Sequence, residues 1–160
     1  MANSSGLPPL RLPLIERLIQ SDEPATRLES VRRLKAAVRR DLEWLLNARR
    51  PDLEFPEGNT ETQKSVYWYG LPDICSLSLS SQPDRTRLLR TIQTAIAAFE
   101  PRLTGVKVAL APEVSGGLPE FRFIIDGLLR MDPMPERVSF DTVLELSDGE
   151  YRVRGEPSDR

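Results

Sequence analysis

The apolar residues of this 160-residue chain change their spacing once, at Pro101. Before that proline they recur every three or four positions, which is the period of an amphipathic helix. After it they alternate with polar residues, which is the period of a half-buried strand. Proline cannot continue a helix, so the change of period has a local cause. The chain is therefore expected to place its helices first and its strands afterwards.

Two long helices are predicted. The first spans roughly 27–48, and Thr26 and Glu29 form a capping-box pattern at its start. The second begins near Asp84, a good N-cap residue, and stops before Pro101. Each helix carries one apolar stripe that predicts the core. The stripes comprise Leu28, Val31, Leu34, Val38, Leu42 and Leu45 in the first helix, and Leu88, Leu89, Ile92, Ala95, Ile96 and Phe99 in the second.

A shorter amphipathic helix is predicted just before Ser21. Its apolar residues can pack on the chain's own core or on a partner, and packing on its own core is the preferred expectation. These residues are Leu14, Ile15, Leu18 and Ile19.

Four strands are predicted after the second helix, and the Asp148-Gly149 turn returns the last of them. Consecutive strands with short turns form an antiparallel meander. Helices that precede such strands group on one side of them. The predicted class is α+β, with two main helices packed on one face of a roughly four-stranded antiparallel sheet. The strands are expected at 106–110, 121–127, 138–146 and 151–153.

A long loop, residues 51–83, separates the two helices. Its aromatic run around Tyr67-Trp68-Tyr69 predicts that the loop is pinned to the core or forms a contact surface. One domain is expected over 14–154, between a flexible tail at 1–13 and a polar tail at 155–160.

The composition excludes much catalytic chemistry. Without histidine there is no Ser-His-Asp triad and no His-ligated metal, and with Cys75 as the one cysteine there is no intramolecular disulfide. No phosphate-binding glycine loop occurs. No metal, cofactor or small-molecule substrate is expected. No secretory signal or membrane span is visible, which predicts a cytoplasmic protein. The net charge of -2 gives no signature for nucleic acid.

A carboxylate pair is the enzymatic alternative that the composition leaves open. Tailed-phage lysozymes carry Glu and Asp nine positions apart, and Glu43 with Asp52 has this spacing, as has Glu150 with Asp159. Chance accounts for such pairs in a chain with 24 acidic residues. Peptidoglycan hydrolysis is therefore kept only as the alternative function.

Glu100 breaks a local rule, because a carboxylate at a helix C-terminus costs about 0.3–1 kcal/mol against the helix dipole. Arg102 is the nearest cation, and Pro101 stiffens the turn between them. A merely local salt bridge here would be exposed and worth about 0–1 kcal/mol. The alternative is an acid–base pair displayed rigidly to a partner. We predict Glu100, Pro101 and Arg102 as partner-binding residues.

The first helix is locally basic although the chain is acidic. Arg32, Arg39 and Arg40 form either an ordinary solvated face or a docking face for an acidic partner, and the two interpretations are weighed evenly. We include the three arginines among the predicted partner-binding residues.

The triplet Glu100-Pro101-Arg102, with the helix before it, resembles the signature of the phage baseplate-wedge, lysozyme-like family. Three further blocks resemble the type VI secretion branch of that family, in the expected order. They are LIERL at 14–18, VRRDLEWLLN at 38–47 with Arg49-Arg50 after it, and YGLPD at 69–73.

The resemblance implies a structural protein and not an enzyme. Members would sit in a cytoplasmic baseplate wedge at the inner face of the cytoplasmic membrane, among larger wedge subunits. They would contact the first ring of the contractile sheath and help start its polymerisation, with Glu-Pro-Arg as the functional element. Sheath subunits of these machines join by strand exchange, so the terminal strand at 151–153 is expected to be an edge that accepts a partner strand.

Overall fold

In the residues that it describes, the computed structural model contains three helices, a short 3₁₀ turn at Val66–Trp68 and four strands. It describes residues 10, 12–19, 26–51, 65–74, 77–111, 120–145 and 149–155. The predictions for most of the two tails, for Asp52, Cys75, Asp148 and Asp159, and for much of the long loop lie outside these residues. The elements are α1 (Leu14–Ile19), α2 (Arg27–Asn47), α3 (Gln82–Phe99), β1 (Leu103–Leu110), β2 (Glu120–Leu129), β3 (Glu136–Glu145) and β4 (Glu150–Val153).

The strands form one antiparallel sheet in the order β1-β2-β3-β4, which confirms the predicted α+β meander. The β1–β2 register shifts between Thr104 and Lys107, where Gly105 takes a positive φ of 62°. Alternate residues of the strands, such as Phe123 and Phe140, enter the core against α2 and α3. None of the helices in the described ranges combines the length and the apolar character that a membrane span requires.

α2 begins and ends close to the predicted residues. The Glu29 backbone N–H donates to Thr26 Oγ1 at 3.2 Å, which caps the helix as expected. The predicted stripe is buried from Leu34 onward, but Leu28 is 62% exposed and was wrongly assigned to the core. The first turn of α2 directs Ser30 inward instead, where its Oγ accepts the Leu10 backbone N–H at 3.1 Å.

α3 begins at Gln82, earlier than predicted, with Ser81 as its N-cap residue. Pro83 fits the first helical turn because those N–H groups have no partner within the helix. Asp84 is therefore not the N-cap; its carboxylate accepts the Ser78 backbone N–H at 3.1 Å. The helix ends at Phe99, before Pro101, as predicted.

The expectation that the apolar residues of α1 pack on the chain's own core is wrong. Leu14, Ile15, Leu18 and Ile19 are between 48% and 76% exposed, whereas Glu16 is buried. The physical reason is an ion pair: Arg40 Nη1 of α2 donates to Glu16 Oε1 at 2.5 Å, which turns the charged side of α1 inward. A contact of this apolar face with a partner stays a prediction.

Residues 65–74 of the long loop are pinned to the core. Arg50 N–H donates to Leu71 O at 3.0 Å, and Leu71 N–H donates to Ala48 O at 2.9 Å. Gly70 makes this approach possible, since its φ is +109° and a Cβ there would lie 2.4 Å from Ala48 O. One of the two interpretations of the aromatic run is thus confirmed.

We expect Leu42→Ala to lower the free energy of unfolding by about 2–5 kcal/mol, because Leu42 is fully buried and the smaller side chain leaves a cavity. Leu28→Ala is the matched control and is expected to change it by under about 0.5 kcal/mol, because Leu28 is exposed. Denaturant unfolding measures both. Equal unfolding midpoints for the two variants would contradict the observation that α2 buries Leu42 and exposes Leu28.

Candidate docking site at the Glu-Pro-Arg triplet

The triplet forms the tight connection between α3 and β1. Glu100 N–H still donates to Ile96 O at 2.8 Å, and Leu103 N–H donates to Glu100 O at 3.1 Å. Arg102 O accepts the Arg130 backbone N–H at 2.8 Å, which joins the end of the turn to the end of β2. Backbone hydrogen bonds therefore fix the triplet on both sides.

The Glu100 carboxylate is buried and paired with Arg102. Glu100 is only 4% exposed. Arg102 Nε donates to Glu100 Oε1 at 2.6 Å, Arg102 Nη2 donates to Oε2, and the Arg102 backbone N–H donates to Oε1 at 3.2 Å. The pair is therefore not the exposed salt bridge that the local interpretation assumed, because the tight turn folds the guanidinium back onto a carboxylate at the core boundary. Arg102 does offset the charge of Glu100 at the helix end, as predicted.

A charged network extends from this pair to two other helices. Arg102 Nη2 also donates to Asp41 Oδ2 at 2.6 Å. Asp41 Oδ1 accepts Arg40 Nη2 at 3.0 Å, and Arg40 in turn reaches Glu16. We call Glu16, Arg40, Asp41, Glu100 and Arg102 the charged network. Its members come from α1, α2 and the α3–β1 turn, so it ties these elements together.

Three titratable groups in or beside the network have a raised pKa. Burial acts to lower the pKa of Arg40, but hydrogen bonds to Glu16 and Asp41 outweigh it. Burial acts to lower the pKa of Arg102, but hydrogen bonds to Glu100 and Asp41 outweigh it and raise the pKa above its ordinary value. Burial, with the nearby carboxylates of Asp41 and Glu100, raises the pKa of Tyr69. Arg102 therefore stays charged and Tyr69 stays neutral at physiological pH.

Removal of the Arg102 side chain would leave Glu100 buried without its counter-charge. Breaking a buried ion pair from one side costs about 3–5 kcal/mol. Arg102→Ala is thus expected to destabilise the fold of the turn as well as to remove any docking contact. Only a conservative replacement separates an effect on folding from an effect on docking.

One face of the network remains available to a partner. The Arg102 side chain is 25% exposed, and within the described residues its Nη1 makes no hydrogen bond. Pro101 beside it is exposed. Because Nε and Nη2 are held by carboxylates, Nη1 points in a fixed direction and can donate to a carbonyl or carboxylate of another protein.

The three predicted helix arginines do not share one surface. Arg40 belongs to the charged network and also lies over the Trp44 ring at 4.8 Å. Arg32 and Arg39 are exposed on one side of α2, seven residues apart, and neither makes an ion pair with any residue the structure describes. Glu16 and Asp41 were missed as site residues. Their signals were an acid within an apolar helix and an acid directly after paired arginines.

The two edges of the sheet differ in their hydrogen bonding. β4 is an edge strand, as predicted, but side chains of α2 already bind its outer backbone groups. Asn47 Nδ2 donates to Tyr151 O and Asn47 Oδ1 accepts Tyr151 N–H, both at 2.8 Å, and Glu43 Oε2 accepts Val153 N–H at 3.0 Å. The expectation that β4 offers an open edge is therefore wrong.

The outer edge of β1 is open. Ala111 N–H donates to Arg122 O, so alternation directs the backbone groups of Val108 and Leu110 away from β2. No hydrogen bond joins these outward groups to another residue of the described ranges. β1 begins at Leu103, directly after Arg102, so the open edge and the exposed part of the network are continuous.

The described residues include no group of three or more Cys, Asp or Glu side chains arranged to hold a metal ion. The carboxylates of the charged network are instead bound by the guanidinium groups of Arg40 and Arg102. The chemistry that this site offers is hydrogen bonding and charge pairing.

Comparison with known proteins gives one match. A family model described as "Baseplate wedge protein gp25" matches residues 32–134. This span includes most of α2, all of α3, β1 and β2, and every residue of the charged network except Glu16. No curated protein and no solved structure matches the chain.

Proposed function

The chain belongs to the baseplate wedge protein gp25 family, and from this membership we propose that it links the wedge of a type VI secretion baseplate to the contractile sheath. It is a structural baseplate component. In the proposal it lies in the cytoplasm at the inner face of the cytoplasmic membrane, contacts larger wedge subunits, and helps start sheath polymerisation at the first ring.

The meeting of four separate sequence blocks in one site carries this proposal. LIERL supplies Glu16, the 38–47 block supplies Arg40 and Asp41, and the Glu-Pro-Arg triplet supplies Glu100 and Arg102. YGLPD supplies Tyr69, which packs edge-on against Phe99 with ring centroids 5.5 Å apart. The blocks that resemble the type VI secretion branch are far apart in sequence, yet they build one connected structure, and this supports assignment to that branch.

We assign the sheath contact to Arg102 and the β1 edge. Arg102 Nη1 supplies one oriented, permanently charged donor, and the outward groups of Val108 and Leu110 supply a template for an added strand. A sheath strand laid along β1 would place its end beside Arg102. The covered β4 edge makes the opposite side of the sheet a poorer acceptor, because a strand there would have to displace Asn47 and Glu43.

We assign a wedge contact to Arg32 and Arg39. Both are exposed, both lie on one side of α2, and their charges are not neutralised within the described residues. An acidic surface on a larger wedge subunit is the complementary partner. Arg40 acts differently, since it holds α1 to α2 through Glu16.

We also propose that the chain has no peptidoglycan hydrolase activity. Glu43, the candidate acid, accepts the Val153 backbone N–H and so has a structural use at the β4 edge. Its candidate partner Asp52 lies outside the described residues. Nothing in the described part of the chain favours the hydrolase alternative.

We expect Arg102→Lys to reduce the number of fluorescent sheaths per cell roughly tenfold, while the protein stays folded and enters the wedge. Lysine keeps the charge near Glu100 but cannot bind two carboxylates and still present an oriented donor. Arg122→Lys is the matched control, because Arg122 forms an ion pair of similar exposure with Asp141 at 2.6 Å on the other face of the sheet. Normal sheath numbers in Arg102→Lys would refute the docking role.

We expect Val108→Pro to fold and to enter the wedge but to block sheath assembly, because proline removes an outward N–H that β2 does not use. Leu110→Pro, whose side chain is partly exposed, should act alike. Ala109→Pro is the contrast: it removes an N–H directed at β2 and should destabilise the fold itself. Sheath counts measure assembly, and unfolding midpoints show whether each variant is folded. Wild-type sheath numbers in both Val108→Pro and Leu110→Pro would exclude strand addition at β1.

We expect the double variant Arg32→Gln/Arg39→Gln to weaken co-purification with the other wedge subunits while stability changes by under about 0.5 kcal/mol, since both side chains are exposed. Arg130→Gln/Arg137→Gln removes two exposed arginines elsewhere and serves as the control. If both double variants co-purify equally well, the basic side of α2 is an ordinary solvated surface.

A further inference from the structure

A groove of about 1110 Å³ runs along the exposed side of α3, apart from the charged network and the β1 edge. One wall is α3 from Gln82 to Phe99, and the other contains Arg50, Trp68 and Pro72. Neither the proposed sheath contact nor the proposed wedge contact uses this groove.

The length and spacing of the groove match a helix. α3 has 18 residues, so its axis is about 27 Å long. The lining residues recur along it at helical steps, on one stripe. Such an elongated, open groove exceeds the usual enclosed pocket for a small ligand and suits a helix laid beside α3. The α3 residues of this stripe include Pro83, Thr86, Arg87, Arg90, Thr94, Ala97 and Ala98.

The groove is basic. Arg50, Arg87 and Arg90 line it, and no Asp or Glu is among its lining residues. Arg87 and Arg90 are exposed and make no ion pair within the part of the chain that the structure describes. The Arg50 guanidinium lies 5.1 Å from the Trp68 ring centre, which orients it before any ligand arrives. The groove therefore selects a partner that carries carboxylates.

The floor favours close approach of an apolar surface. Ala97 and Ala98 are small and exposed, and the partly exposed Phe99 supplies aromatic surface. Thr94 Oγ1 already donates to Arg90 O at 2.9 Å, so its oxygen can only accept a further hydrogen bond. A partner thus needs an apolar stripe as well as acidic residues.

The wall opposite α3 is held rigidly. The backbone hydrogen bonds of Leu71 with Ala48 and Arg50, together with the positive φ of Gly70, fix the segment that carries Trp68 and Pro72. A wall that needs no ordering on binding lowers the entropic cost of association.

We propose that this groove binds an acidic amphipathic helix from a partner protein. The helix lies along α3 with its apolar stripe on the two alanines and Phe99, and its carboxylates pair with Arg50, Arg87 and Arg90. Nucleic acid fits less well, because three arginines give few phosphate contacts and the chain as a whole is acidic.

The test uses the full chain and a fluorescein-labelled, designed 18-residue helical peptide with leucine on one face and glutamate on the other. A second peptide replaces every glutamate by glutamine. Fluorescence anisotropy at low and physiological salt should give tighter binding of the acidic peptide by at least roughly tenfold, with affinity falling as salt rises.

Variants locate the binding surface. Arg87→Gln/Arg90→Gln should weaken binding of the acidic peptide roughly tenfold. Arg130→Gln/Arg137→Gln removes two exposed arginines that no proposed contact uses, and it should leave the binding unchanged. Thr94→Glu should weaken binding and Thr94→Lys should retain it, since both residues suit an exposed helix position and differ in charge. Unfolding midpoints confirm that the variants are folded.

Three results would overturn the proposal. The first is equal binding of the acidic and neutral peptides, or binding of neither. The second is equal loss of binding in both double-arginine variants, which would indicate a general charge effect. The third is displacement of the acidic peptide by a single-stranded oligonucleotide at lower concentration than by unlabelled peptide.

Discussion

The contact of Arg102 with Glu100 and Asp41 is the interaction on which the arrangement of helices and sheet depends. It neutralises a carboxylate that the chain buries at the negative end of a helix, where burial and the helix dipole both oppose a charge. The same guanidinium reaches α2, and through Arg40 the network continues to α1. The five-residue network thus ties three elements together, and the two carboxylates also orient Arg102 Nη1, which makes no hydrogen bond within the described residues.

The polar side of α2 decides which edge of the sheet is open. Glu43 and Asn47 supply β4 with the hydrogen bonds that a neighbouring strand would give it. An uncovered edge invites pairing with other chains, and proteins commonly cover the edges that they do not use. β1 carries no comparable cover within the described residues, and it begins beside the network. The asymmetry supports the assignment of strand addition to β1.

Three surfaces of different chemistry surround one core in this baseplate wedge family member. The turn at Arg102 offers a single oriented cation next to an open strand, the exposed side of α2 offers two unneutralised arginines, and the groove along α3 combines cations with an apolar floor. A small adaptor that meets several partners needs distinct surfaces, because specificity rests on differences in complementarity. The different charge patterns of these surfaces support the proposal that each of them contacts a different partner.

The sequence by itself determined the elements and their order. The change of period at Pro101, the Thr26 cap and the alternation after Leu103 depend on local rules, so the α+β meander could be predicted, as could the pairing of Glu100 with Arg102. Burial was harder to predict from an apolar stripe alone, because Leu28 and the apolar residues of α1 lie on such stripes and are exposed. Only the tertiary structure decided that Glu100 is buried, that Glu16 and Asp41 join it, and that α2 covers β4. These contacts join residues up to 110 positions apart, and periodicity reports which side of an element is apolar, not which distant charge will meet it.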